Sequence, residues 1–247
     1  MSLAEGVALT RAVARSGCTY LLAENFAFTA GTLDLRRRFA AGEVGRFLYG
    51  EGEYVHPLTV DEWNEYAPHP EHWRNWLPFI CYSSHALAPI LSVTDDRPVS
   101  VTGFDLPWQP DDPGIAGTDR QGGVGGLAVV TMASGAIVKL LQATMAGGRV
   151  VTRIHGTKGA MEVSREGGHE DSERTMLRHF VDVVAGREEP FFDVHRAVAI
   201  AAVGSQAYRS LLAGGQPLAI PNLSDPAEQE AHVADDWTPR APITGST

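Results

Sequence analysis

Apolar residues recur at helical spacing from the start of the chain. Leu3, Val7 and Ala14 form one stripe in LAEGVALTRAVARSG, with Ser2 and Glu5 in capping-box positions and Gly17 at the exit, and this predicts a helix. Thr19 to Ala23, in CTYLLAENF, is a short continuous apolar run of the kind found in a strand covered on both faces of a parallel sheet. A helix feeding such a strand is the last piece of an α/β unit, and the expectation is that the earlier pieces of that unit are missing here. TLDLRRRFAAGEVG predicts a second helix closing near Gly42, and RFLYGEGEYVHP a strand ending at Pro57.

Residues 58 to 79 show no periodicity and are rich in aromatic, proline and histidine residues, which predicts irregular structure. RPVSVTGFDL then predicts a strand, followed by a Gly/Asp/Pro-rich loop over about 107 to 124. GLAVVTMASGAIVKLLQATMA predicts a hairpin through a two-residue Ser134-Gly135 turn, and RVVTRIHGTKGAMEVSR two more strands about GTKG. Helices are expected at about 172 to 185 and 193 to 213. The pattern implies an α+β fold, an open, mainly antiparallel sheet with helices on one face. The division expected is 1–28 as a remnant helix and strand of a dinucleotide-binding domain, 29–223 as a substrate and oligomerisation domain, and 224–247 as an acidic, proline-bearing strap or tail. A broad uncovered sheet face points to assembly of copies of this chain.

Composition narrows the function classes. A net charge of −10 and a pI near 5.3 argue against nucleic acid or an anionic membrane surface as partner. The sequence contains no apolar run of membrane-spanning length and no signal-peptide pattern, and its two separated cysteines, Cys18 and Cys81, make no disulfide framework; a cytoplasmic protein is expected. Only two lysines, Lys139 and Lys158, are available to any lysine-dependent chemistry.

Several segments together resemble the glucose–fructose oxidoreductase / inositol dehydrogenase / MocA family. SLAEGVALTRAVARSGCTYLLAENFAF resembles the last helix and strand of that family's dinucleotide-binding domain. LRRRFAAGEVGRFLYGEGEY resembles the start of its second domain, IHGTKGAMEV its late hairpin, and PFFDVHRAVAIAAVGSQAYRSLLAGGQPLAIP its last helix and strand. The resemblance implies an oxidoreductase acting on a sugar or polyol with NAD or NADP. The glycine-rich phosphate turn and the Glu-Lys-Pro motif of full-length relatives have no match. GGVGG at 122–126 lacks the GxGxxG spacing and precedes a strand instead of opening a helix. Tight dinucleotide binding by this chain alone is therefore not expected.

The chemistry is expected around CYSSHALAPIL, residues 81 to 91. Set against the family's Asp-x-x-x-His, His85 matches the histidine while Cys81 stands where the aspartate would be. YSSHALAP is more similar to the Tyr-x-x-His-x-x-Gly-Pro turn of a branch that includes NAD-dependent α-N-acetylgalactosaminidases, with Ala88 departing from the glycine. The resemblance makes Tyr82 and His85 candidate acid/base residues, Trp73 and Arg74 candidates for gripping the sugar, and Glu24 and Asn25 candidates for bordering the cofactor. Pro89 cannot bond to the carbonyl of His85, so His85 is expected at a helix entrance or a kink. Cys81 reads as a packed thiol. His56, His69, His72 and His85, with Asp61 or Glu71, do not have persuasive metal spacing, and no metal is expected. Two other readings remain open: a non-enzymatic sugar-binding or scaffold subunit, and a glycosidase or lyase working through the Tyr82/His85 cleft.

Overall fold

A computed structural model describes residues 1–109, 111–112, 116–165 and 172–239. Parts of the 107–124 loop and of the expected tail, residues 240–247, lie outside the described residues. The helix α1 spans Leu3–Ser16. Its capping box is complete: the Glu5 backbone N–H donates to Ser2 Oγ at 3.1 Å and the Ser2 N–H to Glu5 Oε2 at 2.7 Å, and Gly17 ends the helix at φ 64°.

The apolar run after α1 corrects the sequence reading. Thr19 to Ala23 forms no strand, and among the described residues its Leu22 N–H donates to the distant Phe192 carbonyl at 3.0 Å. Apolar character alone does not make a strand; a ladder partner is required, and here the segment lies over a loop. A 3-10 turn, Asn25–Phe28, then leads into α2, Ala30–Ala40.

The described residues form a seven-stranded sheet from β1 Phe47–Val55, β2 Pro98–Leu106, β3 Gly125–Met132, β4 Ile137–Ala143, β5 Val150–Gly156, β6 Gly159–Arg165 and β7 Leu218–Ala219, in the order β6-β5-β1-β4-β3-β2-β7. Every pairing is antiparallel except β1 with β4, which run parallel with Tyr49 opposite Ile137 and Val55 opposite Ala143. The β3–β4 hairpin differs from the expected two-residue turn. Met132 N–H donates to the Ala136 carbonyl at 2.9 Å, which leaves a three-residue loop, Ala133 to Gly135, with Gly135 at φ 86°.

The 58–79 region is also more ordered than its sequence suggests. It holds α3, Val60–Tyr66, opened by a Thr59/Glu62 capping box, and the one-turn α4, Trp73–Trp76. A second 3-10 turn, Phe79–Cys81, precedes α5, Ser84–Thr94. The later helices are α6, Ser172–Val184, α7, Val194–Leu212, and α8, Pro226–His232.

The main core lies between the sheet and α5 and α7, around Leu87, Ile90, Val130, Val138, Ile154 and Val203. The opposite sheet face carries an ion network. Lys139 Nζ lies 3.4 Å from Glu51 and 3.0 Å from Glu53, and Arg153 lies 2.6 Å from Glu51 and 2.5 Å from Glu162; Phe104 stands exposed on the same face. Helix α1 packs through Val7 on Val194, Val198 and Leu223. The segment after Ser224 is an ordered strap over that helix as far as it is described. Arg11 bonds Gln229 and Glu230, Ala4 N–H donates to the Asp235 carbonyl at 2.9 Å, and Arg209 pairs with Asp235 at 2.7 Å.

Candidate functional site

Two close backbone approaches bring the site together. At Gly52 of β1, a Cβ would lie 2.0 Å from the Ala86 carbonyl oxygen, so only glycine lets the first turn of α5 rest on the sheet. At Gly204 of α7, a Cβ would lie 2.4 Å from the Cys81 carbonyl oxygen, which sets the 3-10 turn just ahead of α5. Helix α5 starts at Ser84, so His85 occupies its first turn, and Pro89 sits inside the helix without ending it. The helix entrance expected for His85 is therefore present, four residues ahead of the proline.

His85 links two side chains. Its Nδ1 lies 2.7 Å from Glu24 Oε1 and its Nε2 lies 2.8 Å from the Tyr82 hydroxyl. A carboxylate only accepts, so Nδ1–H donates to Glu24, and Nε2 accepts from Tyr82 when the ring is neutral. The carboxylate that Cys81 fails to supply comes from Glu24, sixty-one positions away along the chain. Glu24 is 4% exposed and also accepts from the Phe26 N–H at 3.3 Å. Glu24, expected beside the cofactor, thus bonds directly to His85. Asn25 points elsewhere: its amide donates to Glu173 of α6 at 2.8 Å.

Aromatic rings enclose this line of three side chains. Phe26 and Tyr54 pack on His85 with ring centres at 4.4 and 4.7 Å, and His56 stacks on Tyr54. Tyr82 touches Tyr54 and Trp73 at 6.2 and 6.3 Å. Sequence reasoning missed Tyr54 and considered His56 only as a metal ligand. The signal was their alternation in GEYVHP, whose strand presents Tyr54 on the face that Gly52 opens to α5. Trp73 is 40% exposed, with the Arg74 guanidinium 4.6 Å from its ring centre.

Burial sets the acidities. Tyr82 is pushed above the ordinary phenol value by burial first and then by Glu24, with Arg74 opposing. Tyr54 is pushed up to about 12, mainly by burial. Both phenols therefore stay protonated at neutral pH. The Cys81 thiol is pushed up to about 12 by burial and is inert there.

The segment that carries Trp73 and Arg74 is held from below. Asn75, wholly buried, accepts from Trp63 Nε1 at 2.7 Å and donates to the Ala67 and His69 carbonyls. Arg120, 4% exposed, donates to the Arg74 carbonyl, to the Leu77 carbonyl at 3.3 Å and to the Gly123 carbonyl at 3.1 Å.

Among the described residues no group of three His, Cys, Asp or Glu side chains is placed to hold a metal ion. Carboxylates stand at the N-termini of α1, α3, α7 and α8, while α2 and α5 carry none in their first turns. No helix among the described residues is long and apolar enough to cross a membrane.

No family model and no curated protein sequence matches the chain. Solved structures do. The WlbA dehydrogenase from Bordetella pertussis, solved with NADH and UDP-GlcNAcA, matches with a TM-score of 0.66 and 16% identity, over 86% of this chain and 67% of that one. The myo-inositol 2-dehydrogenase from Lactobacillus plantarum matches with a TM-score of 0.62 and 14% identity, over 80% and 63%. An oxidoreductase domain protein from Kribbella flavida matches with a TM-score of 0.62 and 16% identity, over 89% and 71%. The chain spans about two thirds of the length of these structures, and at such identities the likeness is one of fold. The neighbours are oxidoreductases of the type that the sequence resembles.

Proposed function

We propose that this chain is the substrate-handling part of a sugar or polyol oxidoreductase of the glucose–fructose oxidoreductase / inositol dehydrogenase / MocA type. The observation that carries the reading is the continuous line Glu24–His85–Tyr82, which ends at a phenol beside an exposed tryptophan and an arginine. Fold neighbours that include a myo-inositol 2-dehydrogenase and a dehydrogenase solved with NADH support it.

Tyr82 is the group that meets the substrate. As its oxygen takes the proton of a sugar hydroxyl, its own proton passes to His85 Nε2, and the imidazolium so formed is held by the Glu24 carboxylate. The reverse transfer protonates an alkoxide. Trp73 offers a ring face to the apolar side of a pyranose, and Arg74 offers donors to its oxygens. NAD is the redox partner that a neighbour solved with NADH suggests, and NADP is the alternative that the family resemblance leaves open. The sequence has no glycine-rich phosphate turn that opens a helix, so in this reading a separate nucleotide-binding unit holds the dinucleotide, and no step of this chain runs through it. The division at about residues 28 and 223, a cytoplasmic setting and pairing of copies through the open sheet face complete the proposal.

Saturation-transfer NMR with monosaccharides and inositols tests it. Binding in the millimolar range or tighter is expected, with transfer lost in Trp73→Ala. Calorimetry with NADH is expected to give no sub-micromolar site. Absence of binding by every sugar and polyol overturns the reading.

A further inference from the structure

Positive charge accumulates on one side of Tyr82 without an opposite charge beside it. Arg74 rests over Trp73 and, at 5.8 Å, over Tyr66, and its guanidinium has no hydrogen-bond or ion-pair partner among the described residues. Arg120 lines the same cleft; although nearly fully buried, it leaves Nη2 without a partner. Helix α5 begins two residues after Tyr82 with no side-chain cap, so the positive end of its dipole is uncompensated.

No nearby acid forms an ion pair with either guanidinium among the described residues. Glu24 bonds His85, and Asp105 acts on Arg120 only through space. A buried cation with an unused donor, as Arg120 is, is costly, and a bound anion recovers that cost. The enclosed part of the cleft, between Trp73, Arg74, Tyr82 and Arg120, is about 20 Å³. That holds one small group and no sugar ring.

We infer that the substrate is a carbohydrate or polyol bearing an anionic oxygen group, a carboxylate or phosphate, which binds Arg74 beside Tyr82 while the ring lies across Trp73. The inference rests on the reading of the site as a sugar cleft. Arg74 is then the specificity-determining residue, and Arg120 fixes its backbone through the Arg74 carbonyl.

The test is calorimetry or saturation-transfer NMR on the full chain with glucose, glucuronate and glucose 6-phosphate. At least one anionic sugar is expected to bind at least ~10-fold more tightly than glucose, as charge-assisted bonds to a guanidinium are stronger than neutral ones. Arg74→Gln is expected to remove the preference while leaving the melting temperature unchanged; Arg74→Lys should keep part of it. Preference for glucuronate alone identifies a carboxylate, and for glucose 6-phosphate alone a phosphate. Equal affinity for all three sugars, or a preference that survives Arg74→Gln, overturns this inference and leaves the sugar cleft standing. Failure of all three to bind overturns both.

Discussion

Gly52→Ala is the most direct probe of how the sheet positions the relay. The new Cβ would lie 2.0 Å from the Ala86 carbonyl oxygen and 2.7 Å from its carbon. Ordinary contact starts at 3.4 Å, so 3.4 minus 2.0 leaves about 1.4 Å to be found. Both atoms are backbone, one residue beyond His85, and no rotamer change relieves the clash. The first turn of α5 must retreat. Overpacking of this kind costs about 1–3 kcal/mol. For a chain of this size each kcal/mol lowers Tm by about 2–4 °C, so a fall of roughly 2–12 °C is expected. A retreat of that size also exceeds the latitude of the 2.7 and 2.8 Å bonds at His85. The assay is a thermal melt with NMR of the His85 ring protons, alongside Gly159→Ala, where a Cβ meets nothing within 4 Å. The control should stay within about 0.5 kcal/mol of the parent. If Gly52→Ala melts with the parent, or melts lower with the His85 resonances unmoved, the close approach does not position the relay.

Other outcomes follow from the same geometry. With the nucleotide-binding unit supplied, Tyr82→Phe should abolish turnover of any substrate while costing only about 1 kcal/mol of stability, as read by urea unfolding, because one hydrogen bond is lost; retained turnover would remove Tyr82 from the proton path. A thiol reagent at pH 8 should modify Cys18 quickly in the native protein and Cys81 only after unfolding, since Cys18 is exposed and the Cys81 thiol is held up to about 12. Stability should fall between pH 10 and 12: Tyr54 ionises near 10 when unfolded but only near 12 when folded, so rising pH favours the unfolded chain. Urea midpoints across that range should drop less in Tyr54→Phe, and an identical drop would assign the loss to other groups.

Much of the architecture is written locally in the sequence. The Ser2/Glu5 box, Gly17 and the alternation in β3 and β4 depend on neighbours a few residues away, so they are legible. Tyr82 and His85 are legible for the same reason, three positions apart at the start of one helix. The run from Thr19 to Ala23 misleads because strand formation depends on a partner, and hydrophobicity does not report one. Glu24 is the instructive residue. Its link to His85 spans two 3-10 turns, three helices and a strand, and no spacing rule connects residue 24 to residue 85. Arg120 escapes notice similarly, since its three carbonyl acceptors are fixed only by the tertiary path of residues 74 to 77 and 123.

The parallel pairing of β1 with β4 also sets a schedule for biosynthesis. Tyr49 meets Ile137, 88 residues later in the chain (137 minus 49). At a synthesis rate of about 5–20 residues per second, β1 waits on the order of 4 to 18 s for that neighbour. Its other neighbour, β5, is made later still. During that interval the nascent chain exposes a strand with both edges unpaired, and the centre of the sheet cannot close until β4 has been made. Chaperone dependence and sensitivity to translation speed are therefore expected to concentrate between residues 47 and 143.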